Sequence, residues 1–390
     1  MKRTRLIIAF LGLISLAPLA LAKHQGVSWG AGGLTYRPDN YSTFVLSGYA
    51  QLEATKFSRN DFGLKNEIFL HSLEYDIFAT FGQDLHFDLS GDWMKPLKVE
   101  TAYVEYDGWK NIIFQVGQIF PNFGLNNTDS TGQLNYVEFN LPSNTFATDY
   151  YLGSTFLIHN KQLSAFFSAF GPRIAVNYDG RYPFGALTRE IWSPIHNEHQ
   201  TFETGISLWY QKPDGSNTSG WGTVPEVDSR DMTSLADTGT ILNTRNSLTY
   251  DLEIAYQLGP FYVASEYMSD RVSRLKNNPN LTFSGAYIST SVFLTGEHHP
   301  YQYPEGDFLA VSKIKHSFGA FELAARLSRL NLNSHDIRGG REKNMTLGVN
   351  WYFSQHIKLL LNYIDIWFRS GTTHKNKRIN TYAAQLEYLT

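Results

Sequence analysis

The chain has 390 residues, with 33 Lys+Arg against 36 Asp+Glu for a formal net charge of -3, and it has no cysteine. The missing cysteine excludes disulfides, metal-thiolate sites and thiol nucleophiles. Charged residues are sparse at 18% and aromatics frequent at 15%, a balance that suits a single large barrel as well as two or three domains.

Residues 1–22 read as a secretory leader. Lys2, Arg3 and Arg5 form its basic start, 6–16 its apolar run, and Ala20-Leu21-Ala22 a small-x-small cleavage site. Cleavage removes three of the 33 Lys+Arg and no acidic residue, so 30 face 36 and the formal charge becomes -6. No later stretch approaches the roughly 18 consecutive apolar residues of a spanning helix.

Residues 23–40 are Gly-rich and weakly patterned, and are expected to be a flexible start to a barrel covering 41–390. From there, alternation with a period of two recurs in strand-length runs. The predicted strands begin with 41–57, 63–81 and 85–93; Leu73, Tyr75, Ile77 and Ala79 share one face of the second, opposite Glu74, Asp76 and Thr80. Hairpins over 98–119 and 148–170 turn at Asp107-Gly108 and His159-Asn160. The middle supplies 181–192, 201–211, 245–258, 261–270 and 281–295, with Gly259-Pro260 as a tight reversal. The last four are 319–330, 343–353, 356–367 and 377–389, where Met345, Leu347, Val349 and Trp351 oppose Asn344, Thr346, Gly348 and Asn350.

Sixteen antiparallel strands result, an even number that returns both ends to one side. Connections on one side are short, while 120–147 and 212–244 lie on the other. This asymmetry is that of an all-β transmembrane barrel. The connection 296–318 is long yet falls on the short-turn side; it either folds into the lumen or hides another strand at 307–316. Sixteen strands leave an aqueous channel, so passive diffusion of ions and small hydrophilic solutes through an outer-membrane pore is the expected function.

Several stretches carry a resemblance. Phe293-Leu-Thr-Gly-Glu297, the run from Gly319 to Leu330, Ile337-Arg-Gly-Gly-Arg341, Thr346-Leu-Gly-Val-Asn-Trp-Tyr352 and Leu361-Asn-Tyr363 resemble the phosphate-selective porin O and P family. Val116-Gly-Gln118 and Pro121-Asn-Phe-Gly-Leu125 resemble that family's entry into its third extracellular loop, and Glu138 fits its acidic position. The resemblance spans about 63–389 and implies a trimeric barrel of 16 strands with lumen-folded loops, passing phosphate or other anions. This chain departs from the family where selectivity is set. His71-Ser72-Leu73-Glu74 stands where an Arg-Arg-x-Arg run is usual, and Asn127 and Gly132 stand where lysines are usual. From 120 to 147 there is no Lys or Arg. An anion leaving water needs compensating donors and positive charge, so a weakly selective or cation-preferring general porin is the alternative.

The expected pore-lining residues are Asn126, Asn127, Asp129 and Glu138 in the third loop, with His71, Glu74, Glu322, Arg326 and Lys358 on strands; against this stand ordinary loop positions and mutual pairing across the wall. His298-His299 are expected to be solvated rather than metal ligands. No catalytic residue, metal or cofactor is expected, and no nucleophile elbow, His-Glu-x-x-His helix or phosphate-binding Gly loop is present. A barrel enzyme and a closed surface adhesin are the other classes. Expected partners are outer-membrane lipid and lipopolysaccharide, the permeating ions and solutes, and two further copies in a homotrimer, with no nucleic acid.

Overall fold

The computed structural model describes residues 25–30, 32–94, 98–126, 133–146, 149–174, 176–228, 234–311 and 313–390. The leader lies outside them. The first strands are β1 (Gly26–Gly30) and β2 (Gly33–Arg37), a hairpin within the segment expected to be flexible. The wall then runs through β3 (Ser42–Asn60), β4 (Glu67–Phe81), β5 (Leu85–Asp92), β6 (Lys98–Trp109) and β7 (Ile112–Ile119). After a short helix α1 (Leu141–Phe146) come β8 (Tyr151–His159), β9 (Leu163–Phe170), β10 (Phe184–His196), β11 (Gln200–Lys212), β12 (Thr244–Leu258), β13 (Phe261–Arg274) and β14 (Leu281–Phe293). A two-residue pair, β15 (Tyr301–Gln302) and β16 (Asp307–Phe308), stands apart from the wall. β17 (Ala320–Ser334), β18 (Ile337–Ser354), β19 (Ile357–Arg369) and β20 (Asn376–Leu389) complete it.

Each of the sixteen wall strands pairs antiparallel with its neighbours in sequence, and β20 pairs back onto β3 from Leu389↔Tyr49 to Ile379↔Asn60. Closure is what lipid demands, because an open edge would leave N–H and C=O groups without partners in hydrocarbon. The chain end finishes the seam: the Thr390 hydroxyl accepts from the Gly48 N–H at 2.8 Å and donates to the Gly48 carbonyl at 3.0 Å. Beyond the end of β20, β2 takes over as the partner of β3 at Leu34↔Leu46 to Tyr36↔Phe44.

The faces divide as the alternation requires. Along β18, Leu347, Val349 and Phe353 are exposed, while Glu342, Asn344, Thr346 and Asn350 are buried. The exposed apolar side chains face lipid, and the buried polar ones face the lumen. Aromatic rings gather near the short-turn end, where Trp351 sits 3.9 Å from Phe353 and 5.3 Å from Phe321 between ring centroids. That belt suits the headgroup boundary, where a ring has one apolar and one wet neighbour. The long connection after β14 enters the lumen and adds no wall strand.

Candidate pore and its constriction

The described parts of three connections fill one side of the lumen: 120–150 and 213–243 from the long-loop end, and 294–319 from the short-turn end. The first is seated by the Pro121-Asn-Phe-Gly-Leu125 run. Asn122 Oδ1 accepts from the Arg189 guanidinium, and buried Phe123 packs 5.7 Å from Trp209 between ring centroids. The N–H groups of Leu125 and Asn126 donate to Glu266 Oε1 and Oε2 at 2.6 and 3.1 Å. Gly124 has φ of 70°, and a Cβ there would lie 2.6 Å from Glu266 Oε1. Only glycine lets the turn come this close to the carboxylate. Farther along, Asn140 Oδ1 caps α1 by accepting the Ser143 N–H at 2.9 Å.

Glu322 ties these connections to the wall. One oxygen accepts from His299 Nε2 at 2.8 Å and Asn135 Nδ2 at 3.2 Å, the other from Asn350 Nδ2 at 3.0 Å and the Tyr352 hydroxyl at 2.9 Å. Arg326 donates through Nε to Glu226 Oε2 at 3.2 Å and through Nη2 to the Glu138 carbonyl at 3.0 Å, with its guanidinium 4.2 Å from the Tyr136 ring centroid. Lys358 Nζ donates to the Leu134 carbonyl at 2.9 Å and pairs with Glu387 at 2.9 Å. Glu322, Arg326 and Lys358 are 0, 2 and 6% exposed, so each is covered by a connection it holds. Where the connections meet, a cavity of about 30 Å³ lies beside Asn135, Tyr136 and His299, room for a water. His299 is 2% exposed, which corrects the expectation that it is solvated: both ring nitrogens meet acceptors, Glu322 and the Leu309 carbonyl.

The other side is open. Ser72, Asp92 and Glu100 are buried, but most other inward side chains of β4 to β7 are half-exposed, and because their neighbours along the strand point to lipid, that exposure is to lumen water. Glu74, Asp76, Asp88 and Glu105 stand on this wall with His86, Tyr103 and Gln115. Gln115 Nε2 donates to Glu105 Oε2 at 2.7 Å, and the Thr101 hydroxyl donates to Asp88. No Lys or Arg is among the described inward side chains of β4 to β7.

His71 and Glu74 cannot both face inward under strict alternation. A bulge resolves this: Gln51 pairs Ser72 while Leu52 pairs Leu70, which leaves His71 as the extra residue. It turns into the lumen, with Nδ1 3.2 Å from Glu53 and 3.5 Å from Asp228 of the 213–243 connection. Glu74 accepts from Ser72 Oγ at 3.1 Å. Glu138, half-buried nearby, bonds its own neighbour's Phe139 N–H at 2.8 Å, and burial pushes its carboxyl up to about 7 while His71 pulls it back. Asn126 is half-buried, its Oδ1 accepting from Asn140 Nδ2 at 2.5 Å. Asn127 and Asp129 lie outside the described residues. Sequence reasoning did not single out Asp76, Asp88, Glu105, Arg189, Glu226 or Glu266 as site residues. For those on strands the parity rule was available; Glu226 sits in a connection and had no signal.

The profile of the phosphate-selective porin O and P family matches residues 48–389 of this closed barrel. The chain belongs to that family. This porin is 22% identical over 298 residues to Porin O of Pseudomonas aeruginosa, covering 68% of this chain and 67% of that protein. In fold it is similar to OmpT, an outer membrane protein of Vibrio cholerae solved in trimer form, with a TM-score of 0.57 at 10% identity over 90% of this chain and 100% of the other. It is similar as well to the anion-selective porin from Comamonas acidovorans, with a TM-score of 0.58 at 9% identity over 90% and 100%. The family and the barrel together make it an outer-membrane porin, a channel for ions.

Proposed function

We propose that this porin conducts small ions and hydrophilic solutes by diffusion along the β4 to β7 wall, with weak selectivity that favours cations. The observation carrying this reading is the acidity of that wall: Glu74, Asp76, Asp88 and Glu105 stand half-exposed on it, whereas Arg189, Arg326 and Lys358 are buried against carboxylates. A cation-lined path for phosphate would need the reverse. Of the residues expected to line the pore, His71, Glu74, Glu138 and Asn126 border this path, with Asn127 and Asp129 assigned to the same loop. Glu322, Arg326 and Lys358 act by holding the connections that narrow it. Reversal potential across a KCl gradient in a planar bilayer tests the reading. Its sign should report potassium moving ahead of chloride, and a chloride-selective potential would overturn it.

The functional unit in this reading is a homotrimer exported with 1–22 removed. Support for the trimer comes from the wall: β5, β7 and β9 have eight residues each, below the roughly nine to eleven needed to cross hydrocarbon at a tilt. Protein rather than lipid against those strands removes the mismatch. Lipopolysaccharide phosphates fit the opposite flank, where exposed Arg329, Lys343 and Arg369 line an outer groove at the long-loop end.

A further inference from the structure

Beneath the Gly124 turn, on the crowded side and away from the water path, three carboxylates converge from two adjacent strands. Oxygens of Asp251, Glu253 and Glu266 all lie within 4.8 Å of one another, and the three side chains are 0, 3 and 1% exposed. Arg189 accounts for part of this charge: its Nε and a terminal nitrogen each lie 3.0 Å from Glu253 Oε1. Glu266 is met by the two loop N–H groups already described. Asp251 is different, because both of its oxygens are buried and no donor group among the described residues reaches them; only the Glu253 carboxyl lies against it. A carboxylate in that position costs several kcal/mol in ordinary protein surroundings unless something positive sits against it.

The spacing suits a particular kind of occupant. Calcium holds oxygen ligands at about 2.3–2.6 Å, so oxygens on opposite sides of one ion are about 4.6–5.2 Å apart. An all-oxygen donor set with no nitrogen or sulfur favours such hard cations over zinc or copper. Ser207, which pairs directly across from Asp251 and accepts the Gly124 N–H at 3.2 Å, adds a hydroxyl at the same place. A Cβ on Gly124 would stand 3.4 Å from Asp251 Oδ2, so glycine at this position keeps the space beside the carboxylates clear.

We propose that Asp251, Glu253 and Glu266 form a divalent-cation site of the calcium class that fastens the 120–150 connection to the barrel wall. The ion is enclosed as the connection seats during folding, since binding and ordering of the ligands are one event. Two of the ligands belong to the wall alone, while Glu266 also grips the loop, so the ion stiffens the joint on which the constriction hangs.

The test refolds the full-length mature porin into detergent with either calcium or a chelator, removes free ion by gel filtration, and measures bound calcium by atomic emission alongside thermal unfolding. Protein refolded with calcium should retain it stoichiometrically and melt several degrees higher than protein refolded with chelator. Asp251→Asn should lose the bound calcium and the calcium-dependent shift together. Folded wild-type protein that retains no calcium and melts at the same temperature in both conditions would overturn the proposal. So would Asp251→Asn retaining as much calcium as wild type. A more stable Asp251→Asn beside a calcium-free wild type would assign the cluster to shared protons and overturn it equally. Because the wild-type arms decide alone, a variant that fails to fold does not rescue the idea, and none of these readouts depends on ion selectivity.

Discussion

At the scale of single residues, selectivity comes down to which charges water can reach. Arg189 and Arg326 are in the lumen, but Glu253 and Glu226 meet them at 3.0 Å under the connections, so a passing ion sees little of either. Asp88 and Glu105 are on the open wall. A unit charge about 6 Å from a permeating ion is worth roughly 0.7 kcal/mol in water-like surroundings, or about threefold in local concentration. Asp88→Asn combined with Glu105→Gln should therefore lower the cation-to-anion permeability ratio severalfold, read as a shift of reversal potential towards chloride; an unmoved potential would place the water path elsewhere. Glu138 adds a pH term. Its carboxyl, raised to about 7 by burial, is neutral below that pH and charged above it. Raising pH from about 6 to about 8 adds negative charge near the path, so cation preference should increase. The same titration on Glu138→Gln should be flatter, and identical curves would remove Glu138 from the path.

Among elements, the joint between the 120–150 connection and the wall depends on backbone conformation more than on side-chain chemistry. Gly124→Ala forces a Cβ into left-handed φ and against the Glu266 carboxylate. The cost should be about 1–3 kcal/mol, seen as a lower denaturant midpoint, with a noisier or wider open level in single-channel records. Wild-type stability in this variant would mean that the turn is not seated on Glu266. The motif containing Gly124 was legible in the sequence; its reason was not, because Glu266 is about 140 positions away and nothing local links them. The sixteen wall strands were legible in the sequence, since lipid on one side and polar filling on the other enforce alternation residue by residue. The bulge at His71 escaped because one extra residue leaves no compositional trace. Likewise, the 26–37 hairpin was hidden by weak alternation: β2 is ordered by pairing to β3, a tertiary contact.

For the whole molecule, the sequence left open whether the long connection after β14 formed another strand or entered the lumen. Its polar, patternless residues find partners only once the barrel has closed: the Tyr301 hydroxyl donates to Glu203 at 2.5 Å, and His299 reaches Glu322. His299→Ala would take one hydrogen-bond donor from buried Glu322, a loss of about 1–3 kcal/mol. Denaturation should register that loss and planar bilayers a larger unitary conductance; a variant unchanged in both would show that this clasp does not set the opening. Segments entering from opposite membrane faces thus grip the same carboxylate oxygen, so a shift of either takes a donor from it. An aperture pinned from both faces should hold one calibre, giving a sharp size cutoff in solute passage and a steady current as voltage is varied.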